Sequence, residues 1–187
     1  PARAMILVDE RGSRNPRIFE RGNPNALGRE VPRRFLSALS VGSQRKPYVD
    51  GSGRLELARS ILSPGNPLTA RVMVNRVWMH HFGRALVRTP SNFGTLGQKP
   101  PHPEMLDWLA ATFIESGWSL KSLHRTIMLS ATYQMSSRYQ SSAFSVDADN
   151  ELLWRMNLRR MDVESWRDSL LSVTSELDLE MRGPPYE

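Results

Sequence analysis

The sequence predicts a mainly helical protein, with a bundle-like core around a central buried helix and a small N-terminal β-hairpin or irregular layer. Three observations support this fold class. Hydrophobic residues make up 40% of the 187 residues, and five Trp, six Phe and four Tyr supply enough apolar surface to offset the entropy of folding. Apolar residues recur at helical spacing along much of the chain after residue 54. Short β-like runs occur only near the N-terminus.

The predicted domain organisation is an N-terminal appendage, residues 1–53, followed by one helical core domain, residues 54–187. The chain begins at Pro1 rather than at a Met and ends close to Gly183-Pro184-Pro185, so we expect a fragment of a longer protein. The sequence contains no apolar run near the roughly 20 residues that cross a bilayer. We therefore expect no membrane insertion.

The N-terminal appendage begins with two β-like runs, Ala4–Val8 and Arg17–Glu20, separated by turn-forming residues. These runs predict a small hairpin or edge layer. Residues 25–53 contain four Gly, two Pro and one isolated apolar patch, formed by Phe35, Leu36 and Leu39. We expect this stretch to cross the core as a loop with a short helix.

The helical core is predicted to start at Arg54, with a first helix that ends at a Ser-Pro-Gly sequence. The next helix has the strongest signals, because Asn66 is a favoured N-cap, Pro67 suits the first helical position, and Leu68–Phe82 contains no helix breaker before Gly83. Apolar side chains occupy more than half of its circumference. This helix is therefore predicted to be central and mostly buried.

A connection of twenty residues, Gly83–His102, has little periodicity, and connections of this length are usually functional or disordered. Pro103 then opens a helix that ends at Gly117, and Ser119 caps the following helix. The short break between these two helices predicts that they are neighbours in space. We expect the pair to pack on the central helix.

The C-terminal part is predicted to contain an exposed loop, Ser136–Ser145, because five of its ten residues are Ser. A helical stretch at Asn150–Met156 and a final helix capped by Asp162 are expected to follow. The apolar stripe of the final helix consists of Val163, Trp166, Leu170, Val173 and Leu177. Both segments are expected to close the core from another side.

Composition excludes several classes of chemistry. The absence of Cys excludes disulfides, thiolate metal sites, thiol nucleophiles and covalent haem attachment within this chain. Residues 1–130 carry 19 basic and nine acidic side chains, a net charge of +10, whereas residues 131–187 carry six and ten, a net charge of −4. This basic surface permits nucleic-acid binding as an alternative, but no recognition motif accompanies it, and a solvated basic face is the better explanation.

Histidine and carboxylate residues near the Gly83–His102 connection are candidates for a metal or acid/base site. The candidate residues are His102 and Glu104, with Asp107 and either His80 or His81. In a purely structural interpretation, His102 is an N-cap or loop anchor, His81 is a buried hydrogen-bonded residue, and His124 lies on a helix face. The spacing of these residues matches no specific metal-binding motif.

Polar and aromatic residues on the central helix and in the loop are candidates for ligand binding. The candidates are Asn75, Arg76, His80, Arg84, Arg88, Asn92 and Trp118. Such residues favour a cleft for an anionic polysaccharide, a sulfated glycan or phosphate. Alternatively, Asn75 and the arginines bond loop carbonyls or carboxylates and have a structural role. Most of the five Trp are expected in the core, with Trp118 as the one to test for exposure.

Long sequence motifs carry a resemblance to a known family. They are Asn66–Trp78, His80–Arg84 and Thr89–Gly94, followed by His102-Pro103-Glu104, Leu106–Ala110, Ser116–Ser119 and Ser130–Tyr133. The chain resembles the domain of unknown function family 1553, which is abundant in large secreted proteins of planctomycetes, and the resemblance covers nearly the whole chain. Gln134-Met135 departs from the family pattern, which has a basic residue near Tyr133.

The resemblance implies which domains accompany this chain in longer proteins, but it implies no particular reaction. Family members lie C-terminal to a partner domain, often with a cytochrome-c-like haem domain further upstream, in exported proteins. It therefore implies an extracytoplasmic location, neighbouring domains as partners, and no cofactor in this chain itself. We predict an accessory helical module that binds an anionic or carbohydrate ligand or a neighbouring domain. The alternatives are a hydrolase-like enzyme that uses His102 and Glu104, and nucleic-acid binding.

Overall fold

The computed structural model describes residues 5–9, 12–40 and 46–180. In these ranges the protein is mainly helical and has a small two-stranded antiparallel sheet near the N-terminus, which confirms the predicted fold class. The chain divides into two compact units, Pro1–Ser130 and Ala131–Glu187. The division coincides with the change from the basic to the acidic part of the sequence. The predicted boundary after residue 53 stays a prediction.

The sheet is a hairpin of β1 (Arg17–Phe19) and β2 (Leu27–Glu30). Arg17 faces Glu30 and Phe19 faces Leu27, so the register shifts by one residue within the hairpin. This shift is a β-bulge, which bends a short exposed ribbon.

The sequence predicted a hairpin of Ala4–Val8 and Arg17–Glu20, and this pairing is wrong. Met5–Val8 is irregular and exposed, and Ala4 lies outside the described residues. The run after Asn23-Pro24, Leu27–Glu30, is the partner strand instead. The turn between the two strands is closed by backbone hydrogen bonds from the Glu20 N to the Ala26 carbonyl and from the Asn23 N to the Glu20 carbonyl.

The first unit contains four α-helices in its described part: α1 (Arg54–Ile61), α2 (Thr69–Phe82), α3 (Pro103–Glu115) and α4 (Leu120–Met128). Gly83 ends α2 as predicted, but the predicted start was wrong, because the N-cap residue is Leu68 rather than Asn66 and the helix begins two residues after Pro67. Asn66 instead forms a turn just before the helix. The Oδ1 atom of Asn66 accepts a hydrogen bond from the backbone N of Leu68, 3.1 Å away, and Gly83 ends the helix with a left-handed φ of 72°. Ser119 caps α4 by accepting from the backbone N of Ser122.

The core lies where α2, α3 and α4 pack against one another. In the described chain, every buried apolar residue falls between Ala70 and Ile127. The stripe predicted for α3 is confirmed, since its four members are 2% to 6% exposed: Leu106, Leu109, Ala110 and Phe113. The helix pair therefore packs on α2 as predicted.

Helix α1 contributes no buried residue, although its apolar stripe suggested a core position. Leu55, Ile61 and Leu62 are all substantially exposed. None of the helices in the described ranges combines the length and apolar character needed to cross a membrane.

The second unit contains α5 (Ser141–Val146) and α6 (Val163–Val173) in its described part. The expected loop at Ser136–Ser145 therefore includes most of a short helix. The expected helix at Asn150–Met156 is absent, because Asn150 and Leu153 take left-handed φ values of 53° and 58°. The Asn150 side chain bonds the backbone of Arg155 in both directions, which closes a turn in place of a helix.

The cap predicted for α6 is confirmed, since the Asp162 carboxylate accepts from the backbone N of Ser165 at 2.7 Å. The expected burial of the helix is wrong, because α6 has no buried residue. The expectation that most Trp lie in the core is also wrong. Trp78 is 5% exposed, but Trp108 and Trp166 are both 57% exposed. Helical spacing identifies a shared face but not whether another element covers it.

Candidate functional site

The predicted acid/base residues separate in the structure. His102 is the N-cap residue of α3, and Glu104 lies exposed in its first turn. Asp107 lies one turn further along and forms an ion pair with Arg71 of α2, with 2.5 Å between Nε and Oδ1. The Arg71 guanidinium also donates to the Pro67 carbonyl at 2.6 Å. Asp107 therefore ties the start of α3 to α2.

The Arg71 contact also changes the ionisation of Asp107. The hydrogen bond from Arg71 lowers the pKa of the Asp107 carboxyl below its ordinary value, and the positive charge of Arg71 adds to this effect. Both residues line a cavity of about 330 Å³ beside the long loop, but His102 and Glu104 do not line it. A lowered pKa makes this carboxylate a weaker general base than an ordinary Asp.

His81 meets His124 rather than the residues at the start of α3. The His81 Nε2 atom lies 2.7 Å from the His124 Nδ1 atom, and the rings meet edge to face. A hydrogen bond between two imidazoles requires one neutral ring as the acceptor. The pair links α2 to α4 across 43 residues of sequence. His80, the next residue on α2, is exposed.

The described residues offer no group of three or more His, Cys, Asp or Glu side chains that could hold a metal ion. Of the four catalytic candidates, only Asp107 lines one of the cavities of 330, 440 and 640 Å³. His102, Glu104, Asp107 and His81 therefore do not share any of these three cavities. Their assignment as catalytic or metal-binding residues stays a prediction.

Asn75 is the best-buried polar residue of the central helix, with 0% exposure. Its Nδ2 atom donates to the Val87 carbonyl at 3.1 Å, and its Oδ1 atom accepts from the Val87 backbone N at 2.8 Å. Val87 and its neighbour Leu86 are themselves buried. Asn75 therefore anchors the first part of the long loop, as the structural interpretation of the sequence proposed.

The remaining loop candidates lie at the surface. Asn92 forms a local turn, in which its Oδ1 accepts from the Gly94 backbone N at 3.0 Å. Arg84 and Arg88 are exposed. Neither of these arginines lines the cavities of 440 and 640 Å³. Ligand binding at Asn75, His80, Arg84, Arg88 and Asn92 also stays a prediction.

Two of the ligand-binding candidates, Arg76 and Trp118, line the same concavity. This concavity, called the groove below, has a volume of about 640 Å³ and is bounded by α1, α2 and the segment 34–39. Its exposed apolar side chains are Leu36, Leu57, Ile61, Leu62 and Met73, with exposed fractions of 40% to 63%. A contiguous exposed apolar surface bordered by polar residues is a feature of many interaction sites.

The groove has two cationic members, Arg34 and Arg76, and both are exposed. No Asp or Glu lines it. Among the described residues, neither guanidinium has a hydrogen-bond or ion-pair partner. The groove is therefore apolar with a positive potential.

The wall formed by Arg34 and its neighbours was not predicted from the sequence. The feature of the sequence that indicated this wall was the apolar patch of Phe35, Leu36 and Leu39, which lies outside the predicted core helices. In the structure, this patch lies against α1 and α2 in the groove wall. An apolar cluster within a loop is thus an indication of a surface site.

Comparison with known proteins agrees with the sequence motifs. The family model described as PSD1, protein of unknown function (DUF1553), matches residues 53–187, more than two thirds of the chain. No curated protein and no solved structure shows detectable similarity to the chain. The chain therefore belongs to the DUF1553 family of proteins of unknown function.

Proposed function

We propose that this chain is an accessory docking module, which binds an amphipathic helix of a partner polypeptide in the groove. The observation that carries the proposal is the groove itself, with its half-exposed aliphatic side chains beside two arginines that have no partner in the described part of the chain. Binding of a helix in an apolar groove is a common mode of peptide recognition. The bound helix contacts the groove with apolar side chains at positions i, i+3, i+4 and i+7.

The shape of the groove favours a helix. Leu57 and Ile61 lie one turn apart on α1, and Thr69, Val72 and Arg76 lie on one side of α2. The α2 side extends from Thr69 to Arg76, or roughly 10 Å along the helix axis, and the α1 side over one turn, or roughly 6 Å. The space between two such ridges accepts the ridge of a third helix.

The polar groups of the groove disfavour a carbohydrate ligand. Asn66 and Thr69 are the uncharged polar residues that line it. The Asn66 amide and the Thr69 hydroxyl bond each other at 2.9 Å, and both donate to the Ile61 carbonyl. An uncharged sugar needs several directed hydrogen bonds, and the uncharged polar side chains of the groove are already used within the protein.

The alternative functions receive less support. A hydrolase that uses His102 and Glu104 needs a shared cavity, and neither residue lines the cavity at Asp107. Nucleic acid needs a row of cations along the phosphate backbone, whereas the groove contains two and is otherwise mostly aliphatic. A neighbouring domain of the same polypeptide remains the partner that we propose. An extracytoplasmic location and the lack of a cofactor in this chain also remain proposals, and the location rests on the resemblance alone.

The test is the binding of a synthetic helical peptide about five turns long, with a Leu stripe and uncharged Gln on its other faces. Fluorescence anisotropy of the labelled peptide gives its affinity for the full chain. Replacing Leu57 and Met73 with Gln removes apolar contact area from the groove. We expect the double variant to bind at least about fivefold more weakly, because burying one such side chain contributes roughly 1 kcal/mol or more.

The matched control carries Leu152→Gln and Leu158→Gln, two exposed leucines in the second unit. This control should keep the affinity of the original chain. Circular dichroism of both double variants confirms that the helices are retained. The proposal fails if the original chain does not bind the peptide, or if both double variants weaken binding equally.

A further inference from the structure

We infer that the partner helix is acidic, with carboxylates that flank its apolar stripe and pair with Arg34 and Arg76. This inference rests on the proposed function and specifies the chemistry of the partner. It depends on the charges in the groove wall rather than on the apolar surface. The occupant is therefore an amphipathic helix with Glu or Asp beside its Leu-rich face.

The polar groups of the groove that remain available to a partner are the guanidinium groups. The side chains of Asn66 and Thr69 are occupied by each other, by the Ile61 carbonyl and by the Leu68 backbone N. The guanidinium groups of Arg34 and Arg76 are thus the exposed polar groups of the wall. A guanidinium group is a planar cation with several hydrogen-bond donors.

The positive charges of Arg34 and Arg76 are not balanced by a carboxylate in the groove. No carboxylate lines the groove, and within the described ranges neither arginine forms an ion pair. In contrast, Arg71 of the same helix is paired with Asp107. A partner that covers the groove partly desolvates both cations, so a neutral or basic partner loses the hydration of these groups without compensation.

Arg34 and Arg76 lie beside the apolar residues of the groove on two different segments. Arg76 follows Val72 and Met73 by one turn of α2, so its guanidinium lies on the same side as the apolar wall. Arg34 precedes the apolar residues of the opposite segment, Phe35 and Leu36. Carboxylates bind guanidinium groups bidentately and give orientation as well as affinity. A helix with Glu beside its stripe satisfies both contacts.

The experiment compares three peptides with the same Leu stripe, whose flanking positions carry Glu, Gln or Lys. We expect the Glu peptide to bind about 5- to 20-fold more tightly than the Gln peptide, and the Lys peptide to bind most weakly, since each ion pair adds a few-fold at an exposed site. In the variant Arg34→Glu/Arg76→Glu, the order of the Glu and Lys peptides should reverse.

The control variant Arg125→Glu/Arg138→Glu changes the net charge equally at two exposed arginines that do not line the groove. It should keep the original order of the peptides, with at most a small change in their ratio. Because all four arginines are exposed, both variants should fold, and their circular dichroism verifies this. A reversed order in the control would show that net charge alone decides binding and would overturn the inference.

The remaining outcomes separate the inference from the proposed function. If the Glu and Gln peptides bind equally well, the charge preference is wrong while the docking function stands. If none of the three peptides binds, the proposed function itself fails. If laurate, added below the concentration at which it aggregates, binds with the same dependence on Arg34 and Arg76 while the Glu peptide does not bind, the occupant is a small amphiphilic anion and the inference is overturned.

Discussion

At the scale of the residue, Asn75 is the side chain on which the long loop most depends. A residue in an irregular loop has no regular partner for its backbone N–H and C=O, and burial of these groups without a partner costs free energy. The Asn75 amide supplies both partners to Val87 in one contact. The loop therefore enters the core without an unsatisfied backbone group at this position.

We predict that Asn75→Ala lowers the free energy of unfolding by about 2 to 6 kcal/mol, because two buried backbone groups lose their partners at roughly 1 to 3 kcal/mol each. Urea unfolding measures the change. Asn92→Ala is the control, since Asn92 is exposed and bonds only within its own turn. It should cost less than about 1 kcal/mol. Equal losses in the two variants would contradict the anchoring role of Asn75.

Asp107 provides the second prediction at this scale. Its pKa is lowered by the hydrogen bond from Arg71, so protons bind it less readily in the folded state than in the unfolded state. The stabilisation is present above the ordinary carboxyl pKa of 3.8 and is lost as the pH falls through the lowered value. Because Asp107 is 55% exposed, the pair contributes at most about 1 kcal/mol.

The measurement for this pair is an NMR titration of the Asp107 carboxyl carbon. In Arg71→Gln, the Asp107 pKa should rise toward its ordinary value, since the hydrogen bond and the charge are both removed. Arg125→Gln changes an exposed arginine elsewhere on the surface and should leave the titration unchanged. A titration of Asp107 that is identical in all three proteins would show that the ion pair does not form.

At the scale of the element, Gly83 decides where α2 ends. Its φ of 72° is readily adopted by Gly, less so by Asn, and least by a β-branched residue. We predict destabilisation in the order Asn, Ala, Val, with Ala near 1 kcal/mol. Thermal unfolding of the three variants tests this order. A Val variant as stable as the Asn variant would exclude a left-handed end for α2.

The helices of the first unit were predictable because their signals are local. Asn66, Gly83 and Ser119 act on backbone groups within a few residues, and the α3 stripe extends over two turns. Such signals need no knowledge of the rest of the chain. The hairpin partner and the turn at Asn150 depended on weaker preferences, and there the choice between two local structures was wrong.

The groove was not predictable from the sequence, although two of its residues were among the candidates. Arg34 lies more than forty residues before Arg76, and no periodicity connects the two. Their proximity depends on how segment 34–39 crosses α1 and α2. The exposure of Trp108 has the same cause, since sequence spacing does not say where the neighbouring elements end.

At the scale of the whole molecule, the buried apolar residues of the described chain all belong to the first unit. A fragment that ends at Ser130 retains α1 to α4 and all of these residues. We predict that this fragment folds and unfolds in one cooperative transition, because one core governs its stability. Calorimetry and urea unfolding should agree on its free energy. A fragment without a cooperative transition would show that residues after 130 are needed for the core.

The charge of the first unit leads to the last prediction. Residues 1–130 carry a net charge of +10, so part of any preference for an acidic helix comes from the general field and part from Arg34 and Arg76. Salt screens the two differently, since the Debye length is about 8 Å at 0.15 M and about 3 Å at 1 M. We predict that high salt removes most of the advantage of the Glu peptide over the Gln peptide but preserves the affinity of the Gln peptide, which depends on apolar contact. Titrations at both salt concentrations test this, and a loss of Gln-peptide binding in high salt would mean that the apolar surface does not carry docking.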